Sequence, residues 1–259
     1  MRMNRPVALI ATALVLAACG SSSTTATSSS SSTTTLSGSI TVFAASSLKE
    51  SFTTLGTQFE AAHPGTTVTF NFGASSTLAT QITQKAPADV FAAASQKTMD
   101  TVTAAGAATG DKVFAVNTME IATPAKPSTP VAGLADLAKP GVKVAVCQKD
   151  VPCGAAAVKL FDLNKLTVTP VSEEVDVKSV LSKVVLGEVD AGIVYVTDVK
   201  AAKEKVVGVE IPAAQNVTTK YPIAPITAST NSDLARAFID YVLSSEGQSV
   251  LTAAGFASP

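Results

Sequence analysis

Four places in the chain could present clusters of hydrogen-bond donors. Ser46-Ser47 follows the β-rich run 39–44, and Ser75-Ser76 follows 67–72. Pro152-Cys153-Gly154 follows 142–147, and Val175-Asp176-Val177 opens a further helical stretch. A helix start carries N–H groups with no intrahelical partner and about half a positive charge. Such starts, beyond the carboxyl ends of parallel strands, bind anions. Taken singly, each reads as an ordinary cap. Glu50, three residues after Ser47, even has the spacing of a capping box. Four of them in two halves that could face each other point to anion binding.

Catalytic chemistry finds less support. Nucleophilic catalysis needs a base beside the nucleophile. His63 is the only imidazole and precedes Pro64 at a helix end, where it reads as a solvated turn residue. There is no Gly-x-Ser-x-Gly and no P-loop. Glu173, Glu174 and Asp176 cluster before a helix, as cap and dipole partners do. Asp198, after Tyr195-Val196-Thr197, is a candidate of the same kind. No catalytic residue is assigned, and the chain reads as a binding protein rather than an enzyme.

Donors on helix starts need strands to hold them. Leu48, Phe52, Leu55 and Phe59 fall on one helix face, ended by His63-Pro64-Gly65. Val68, Phe70 and Phe72 alternate in a strand, a helix starts near Ser76, and 88–93 is an apolar strand. Ser95 caps a helix through Ala104. This rhythm predicts a mostly parallel sheet covered by helices. Residues 113–122 read as an extended crossing. A second unit follows, with strands at 142–147, 166–169 and 191–196 and helices at 154–163 and 177–186. Residues 221–227 are extended, and Pro222 and Pro225 mark them as an edge or a second crossing. Residues 233–244 form a helix that 249–254 continue. The expected fold is α/β with two lobes joined by two crossings.

The 259 residues, 46% of them hydrophobic, suffice for two lobes with their own cores. A net charge of −1 with interspersed signs gives no reason to expect a nucleic-acid partner. Arg2 and Arg5 precede an apolar run, 7–18, that is too short to span a bilayer as a mature helix. It ends in Leu16-Ala17-Ala18-Cys19, which resembles the lipobox of bacterial lipoproteins. The alternative is a simple signal peptide with an unrelated Cys, but Cys19 stands where the apolar run stops. Residues 20–36 are almost entirely Ser and Thr and read as a flexible tether. Cys147 and Cys153 remain of the three cysteines. Outside the cytoplasm an even remainder favours a disulfide, the alternative being two free buried thiols.

The ordered motifs resemble the periplasmic molybdate-binding proteins of ABC importers. They are Val42-Phe43-Ala44-Ala45-Ser46-Ser47-Leu48, Gly73-Ala74-Ser75-Ser76-Thr77-Leu78-Ala79 and Ala86-Pro87-Ala88-Asp89-Val90-Phe91. Val151-Pro152-Cys153-Gly154, Gly192-Ile193-Val194-Tyr195 and Gly255-Phe256 complete the set. The resemblance implies a two-lobed periplasmic-binding-protein fold of type II, with an oxyanion in the cleft. It implies hydroxyl and amide donors at Ser47 and Ser75, backbone amides at Cys153 and Val177, and the phenol of Tyr195. Ser46 and Cys153 depart from the family's usual small apolar residues, and an amide donor survives the change at Cys153. It further implies molybdate or tungstate as ligand, no cofactor, an ABC permease as partner and a monomer, anchored outside the cytoplasm through Cys19. The expected divisions are a signal peptide at 1–18, lipidated Cys and tether at 19–38, first lobe at 39–117, second lobe at 118–220, and a return to the first at 221–259. A receptor for sulfate or another small oxyanion is the alternative, with an extracytoplasmic enzyme on an anionic substrate ranked below it.

Overall fold

The computed structural model describes residues 36–259; the expected signal peptide, the Cys19 lipid anchor and most of the tether lie outside them. Ladder pairing begins at Gly38, and Leu36 packs on the core just before it. Nine strands and eight helices alternate. They are β1 (Gly38–Ala45), α1 (Lys49–Ala62), β2 (Thr66–Gly73), α2 (Ser75–Thr83), β3 (Val90–Ala92), α3 (Gln96–Ala104) and β4 (Lys112–Pro124). Then come β5 (Val144–Cys147), α4 (Pro152–Leu163), β6 (Ser172–Glu174), α5 (Val177–Val185), β7 (Ala191–Tyr195), α6 (Val196–Ala202) and β8 (Val206–Val209). The chain ends with β9 (Thr218–Pro225), α7 (Ser232–Leu243) and α8 (Ser245–Ala254).

The strands form one mixed sheet in the order β2-β1-β3-β9-β4-β7-β5-β6, with β8 beside β4. Each lobe has a parallel centre, β2-β1-β3 in the first and β6-β5-β7 in the second. The crossing strands β4 and β9 run antiparallel to their neighbours, so the sheet is less parallel than the βαβ rhythm alone implies. β4 changes partner in mid-course. It pairs with β9 from Lys112 to Thr118, then with β7 from Met119 to Ala122 and with β8 from Ile121 to Pro124. At the switch, Asn216 accepts from Met119 N (3.1 Å) and donates to Met119 O (2.8 Å), standing in for a strand.

Side chains on successive strand positions face opposite ways. In the first lobe Ile40, Val42, Val90, Tyr221 and Ile223 therefore join Phe52, Leu55, Phe59 and Phe238 on one side of the sheet. Phe43, Phe91 and Ala224 meet Leu78, Ile82 and Met99 on the other. The second lobe has a separate core of β5, β7, α4 and α5. Gly192 lets α5 lie close to β7, since a Cβ there would come within 2.7 Å of Val184 and 2.8 Å of Val180.

Several expectations need correction. Residues 166–169 are irregular; Leu166 and Val168 pack on the core, but Pro170 follows and the ladder with β5 is made by Ser172–Glu174. Of the two readings of residues 221–225, the crossing holds and the edge does not, since they lie inside the sheet between β3 and β4. A bulge in β4 between Val113 and Ala115 faces Pro222, where a donor is missing. Residues 249–254 do not continue α7, because Ser244 breaks it and caps α8 by accepting from Gly247 N. α6 and β8 were not anticipated. Glu50 makes no capping box, since the Ser47 hydroxyl is engaged elsewhere.

One carboxylate near the joint carries a testable consequence. Glu120 of β4 is half-buried against Gly208, and burial, then Glu210, pushes its pKa up to about 7. The folded state thus binds this proton more tightly than the unfolded chain. Its contribution is fully present below about pH 4.5 and is lost as pH rises through about 7. Thermal melting from pH 5 to 8 should show wild type losing stability relative to Glu120→Gln. Parallel pH profiles would contradict the assignment.

Candidate functional site

The parallel strands of both lobes end at one small cavity of about 10 Å³, room for about one water-sized sphere. β1 delivers Ala45, Ser46 and Ser47, the last two in a single 3-10 turn. β2 runs into Gly73-Ala74-Ser75 at the start of α2, and Ala94 follows β3. From the second lobe come Val151, Pro152 and Cys153 at the start of α4, Asp176 and Val177 at the start of α5, and Tyr195 at the end of β7. Ser47, Ser75, Cys153, Val177 and Tyr195, the five residues singled out from sequence, all line this cavity and are all buried. His63 ends α1 and is not among the lining residues.

The hydroxyls are arranged to donate. Ser75 Oγ accepts from Ala94 N at 3.0 Å, which leaves its own hydrogen free. Ser47 Oγ and Tyr221 Oη share a 2.9 Å hydrogen bond in which either can donate. When Tyr221 donates, the Ser47 hydrogen is free as well. Tyr195 Oη is fully buried and has no hydrogen-bond partner among the described residues. Burial, then the charge of Asp198, raises the Tyr195 phenol well above its ordinary pKa. Tyr221 and Thr219 lie near enough to temper the shift without making a hydrogen bond to it. Tyr221 is raised too, by burial and then by Tyr195. Both phenols remain protonated at neutral pH.

The amide donors come from two helix starts. Pro152 occupies the first turn of α4, where a missing N–H costs nothing. Ala155 N is the first to reach back, to Val151 O, so Cys153 N precedes the intrahelical ladder. At α5 the Asp176 carboxylate accepts from Ser179 N at 2.9 Å, and Val180 N is the first to reach back, to Asp176 O, so Val177 N precedes the intrahelical ladder. Asp176 is the one carboxylate among the lining residues, and no Lys or Arg lines the cavity.

The charges sit one step back. Lys178, next to Val177, reaches Glu50 Oε2 at 2.8 Å and Asp198 Oδ1 at 2.9 Å. The second contact is an ion pair without the geometry of a directed hydrogen bond. Asp198 is wholly buried, and its Oδ2 accepts from Tyr195 N at 3.2 Å. Burial raises the Asp198 carboxyl, opposed by Lys178 and by that N–H. Burial works against the Lys178 charge, but Asp198 and Glu50 outweigh it, and its pKa is raised. Sequence reasoning missed Lys178 and gave Asp198 only a capping role. A lysine in the first turn of a helix, against the dipole, was the available signal.

Cys147 and Cys153 form a disulfide with a Cα separation of 5.7 Å. The intervening turn folds back on α4, closed by Val151 N to Gln148 O at 3.1 Å. A Cβ on Gly154 would lie 1.9 Å from Gln148 O, so only glycine fits. The crosslink and Gly154 hold the Cys153 amide in place together. Intact-mass measurement should show a gain of two protons on reduction. Replacing both cysteines by Ser should lower unfolding free energy by roughly 2 kcal/mol, the chain-entropy value for so short a loop. Two alkylatable thiols in the unreduced folded protein would contradict the pairing.

The sequence profile described as bacterial extracellular solute-binding protein matches residues 40–257. The molybdate-binding protein ModA of Mycobacterium tuberculosis is 44% identical over 254 residues, 97% of each chain. The periplasmic molybdate-binding protein of Azotobacter vinelandii superposes with a TM-score of 0.74 at 21% identity, over 85% of this chain and 99% of that one. The sulfate-binding protein SubI of M. tuberculosis superposes with a TM-score of 0.72 at 19% identity, over 85% of this chain and 86% of that one. The last two likenesses bear on fold. Profile and sequence identity together place the chain among the bacterial extracellular solute-binding proteins, in the family of periplasmic molybdate-binding proteins of ABC transporters.

Proposed function

We propose that this chain is an extracytoplasmic receptor that captures molybdate, and tungstate with it, and delivers the anion to an ABC permease. The observation that carries the reading is the convergence of Ser47, Ser75, Cys153 N, Val177 N and Tyr195 Oη on one cavity without a cation. Donors from both lobes line the same small space. A divalent oxyanion held there would be stabilised by charge-assisted hydrogen bonds and two helix N-termini. The two helix-start amides can only donate, so they favour deprotonated oxygens on the ligand. Choice of molybdate over sulfate rests on the 44% identity to a molybdate-binding protein rather than on geometry. Sulfate is the second reading, because a sulfate-binding protein shares the fold.

The arrangement also supports closure of two lobes on the ligand, bounded at 39–117, 118–220 and 221–259. In this reading the mature protein is a monomer. Cys19 carries the lipid, and the Ser/Thr stretch keeps the receptor within reach of the membrane importer. Among the described residues no helix is long and apolar enough to cross a membrane.

Calorimetric titration of the soluble domain with molybdate, tungstate, sulfate and phosphate tests the reading. Molybdate and tungstate should bind tightly, and sulfate and phosphate weakly. Ser75→Ala and Tyr195→Phe should each weaken binding by roughly 1.5–3 kcal/mol, the usual loss for a hydrogen bond to a charged group. Sulfate bound as tightly as molybdate would transfer the assignment to sulfate. Unchanged affinity in both variants would displace the site.

A further inference from the structure

We propose that Glu50, Lys178 and Asp198 form a latch that holds the two lobes closed over the anion. The proposal rests on the cleft reading above and adds residues that do not line the cavity.

The position of Lys178 is unexplained by its own helix. A cation in the first turn of α5 opposes the helix dipole. Its side chain instead lies between lobes, 20% exposed, with Glu50 of α1 on one side and Asp198 of α6 on the other. Asp198 belongs to the same lobe as Lys178. It is wholly buried, and its other oxygen holds Tyr195 N. The Lys178–Asp198 pair is therefore internal to the second lobe and survives any opening. Glu50 belongs to the first lobe, three residues beyond Ser47, so its 2.8 Å contact with Lys178 spans the joint and must break when the lobes part. α5 also packs on the turn 46–48 that carries Ser47.

This geometry divides the work. Asp198 keeps Lys178 charged and aimed, because an unpaired buried carboxylate is costly. Glu50 is the removable half of the contact. Both second-lobe partners are tied to proposed ligand donors, Lys178 to Val177 by the peptide bond and Asp198 to Tyr195 N by a hydrogen bond. Seating an anion against Val177 N and Tyr195 thus fixes the same segments that meet Glu50. Glu50 is half-exposed, so the contact adds a modest bias to closure and is not the source of affinity.

The test is the release rate of bound anion, measured by rapid mixing, in wild type, Glu50→Gln and Glu50→Lys. Removing Glu50 also removes a negative charge near the path of an anion, which would change association more than release. Release is therefore the readout that isolates the latch. Glu50→Gln should release about two- to five-fold faster, the range for a partly exposed ion pair, and Glu50→Lys faster still. Melting temperatures of the ligand-free variants should match wild type. Wild-type release rates in both variants, or changes confined to association, would overturn the proposal. The probe is whichever of molybdate, tungstate, sulfate or phosphate the wild type holds. Should it hold none, the function reading fails separately. The latch is then read from small-angle scattering of the ligand-free protein. Glu50→Lys must be more expanded than wild type there, and equal radii of gyration would overturn the latch.

Discussion

A buried phenol without a hydrogen-bond partner costs about 1–3 kcal/mol, and Tyr195 Oη stands in that position at the end of β7. The surrounding structure holds it there. Its backbone N–H is taken by Asp198 Oδ2, and its ring meets Tyr221 edge-on with centroids 6.0 Å apart. Tyr221 belongs to β9, the strand returning to the first lobe, and its hydroxyl bonds Ser47. A chain of contacts thus links this unpaired phenol of the second lobe to a serine donor of the first. A hydrogen-bond acceptor in the cavity would offset that cost, and in the proposed reading the oxyanion is that acceptor.

The other donors are fixed by backbone rather than by charge. Ser75 is aimed by Ala94 N, Val177 by the Asp176 cap, and Cys153 by a turn that the disulfide and Gly154 close from two sides. Rigid dipoles of this kind need no reorganisation when an anion arrives. Lys178 neutralises Asp198 and does not line the cavity. Placing the cation there balances a buried carboxylate without drawing any small anion indiscriminately into the site.

Much of this was legible in the chain because it is local. Phe52, Leu55 and Phe59 turn inward on α1, with Leu48 in the turn just before it, as their spacing implies, and all four are fully buried. Val42 and Phe43 split between opposite faces of β1 as strand alternation requires. The five donors were named from helix starts and from family resemblance, and they meet at one cavity. What failed was long-range. Leu166 and Val168 alternate because they pack on the core, yet pairing depends on which segment reaches β5, and that is Ser172–Glu174. Pro222 left an edge and a crossing both open, because nothing local reveals a bulge in the facing strand. Glu50 had the spacing of a capping box, but its partner is Lys178, 128 residues away. No periodicity encodes a contact between residues 50, 178 and 198.

The central claim is that an oxyanion sits among Ser47, Ser75, Cys153 N, Val177 N and Tyr195 Oη. Anomalous diffraction at the molybdenum edge, from crystals grown with molybdate, tests it most directly. The account predicts one strong peak in the cavity, with oxygens within hydrogen-bond distance of Tyr195 Oη and both helix-start amides. A peak elsewhere, or none at the cavity while the protein binds molybdate in solution, would contradict it.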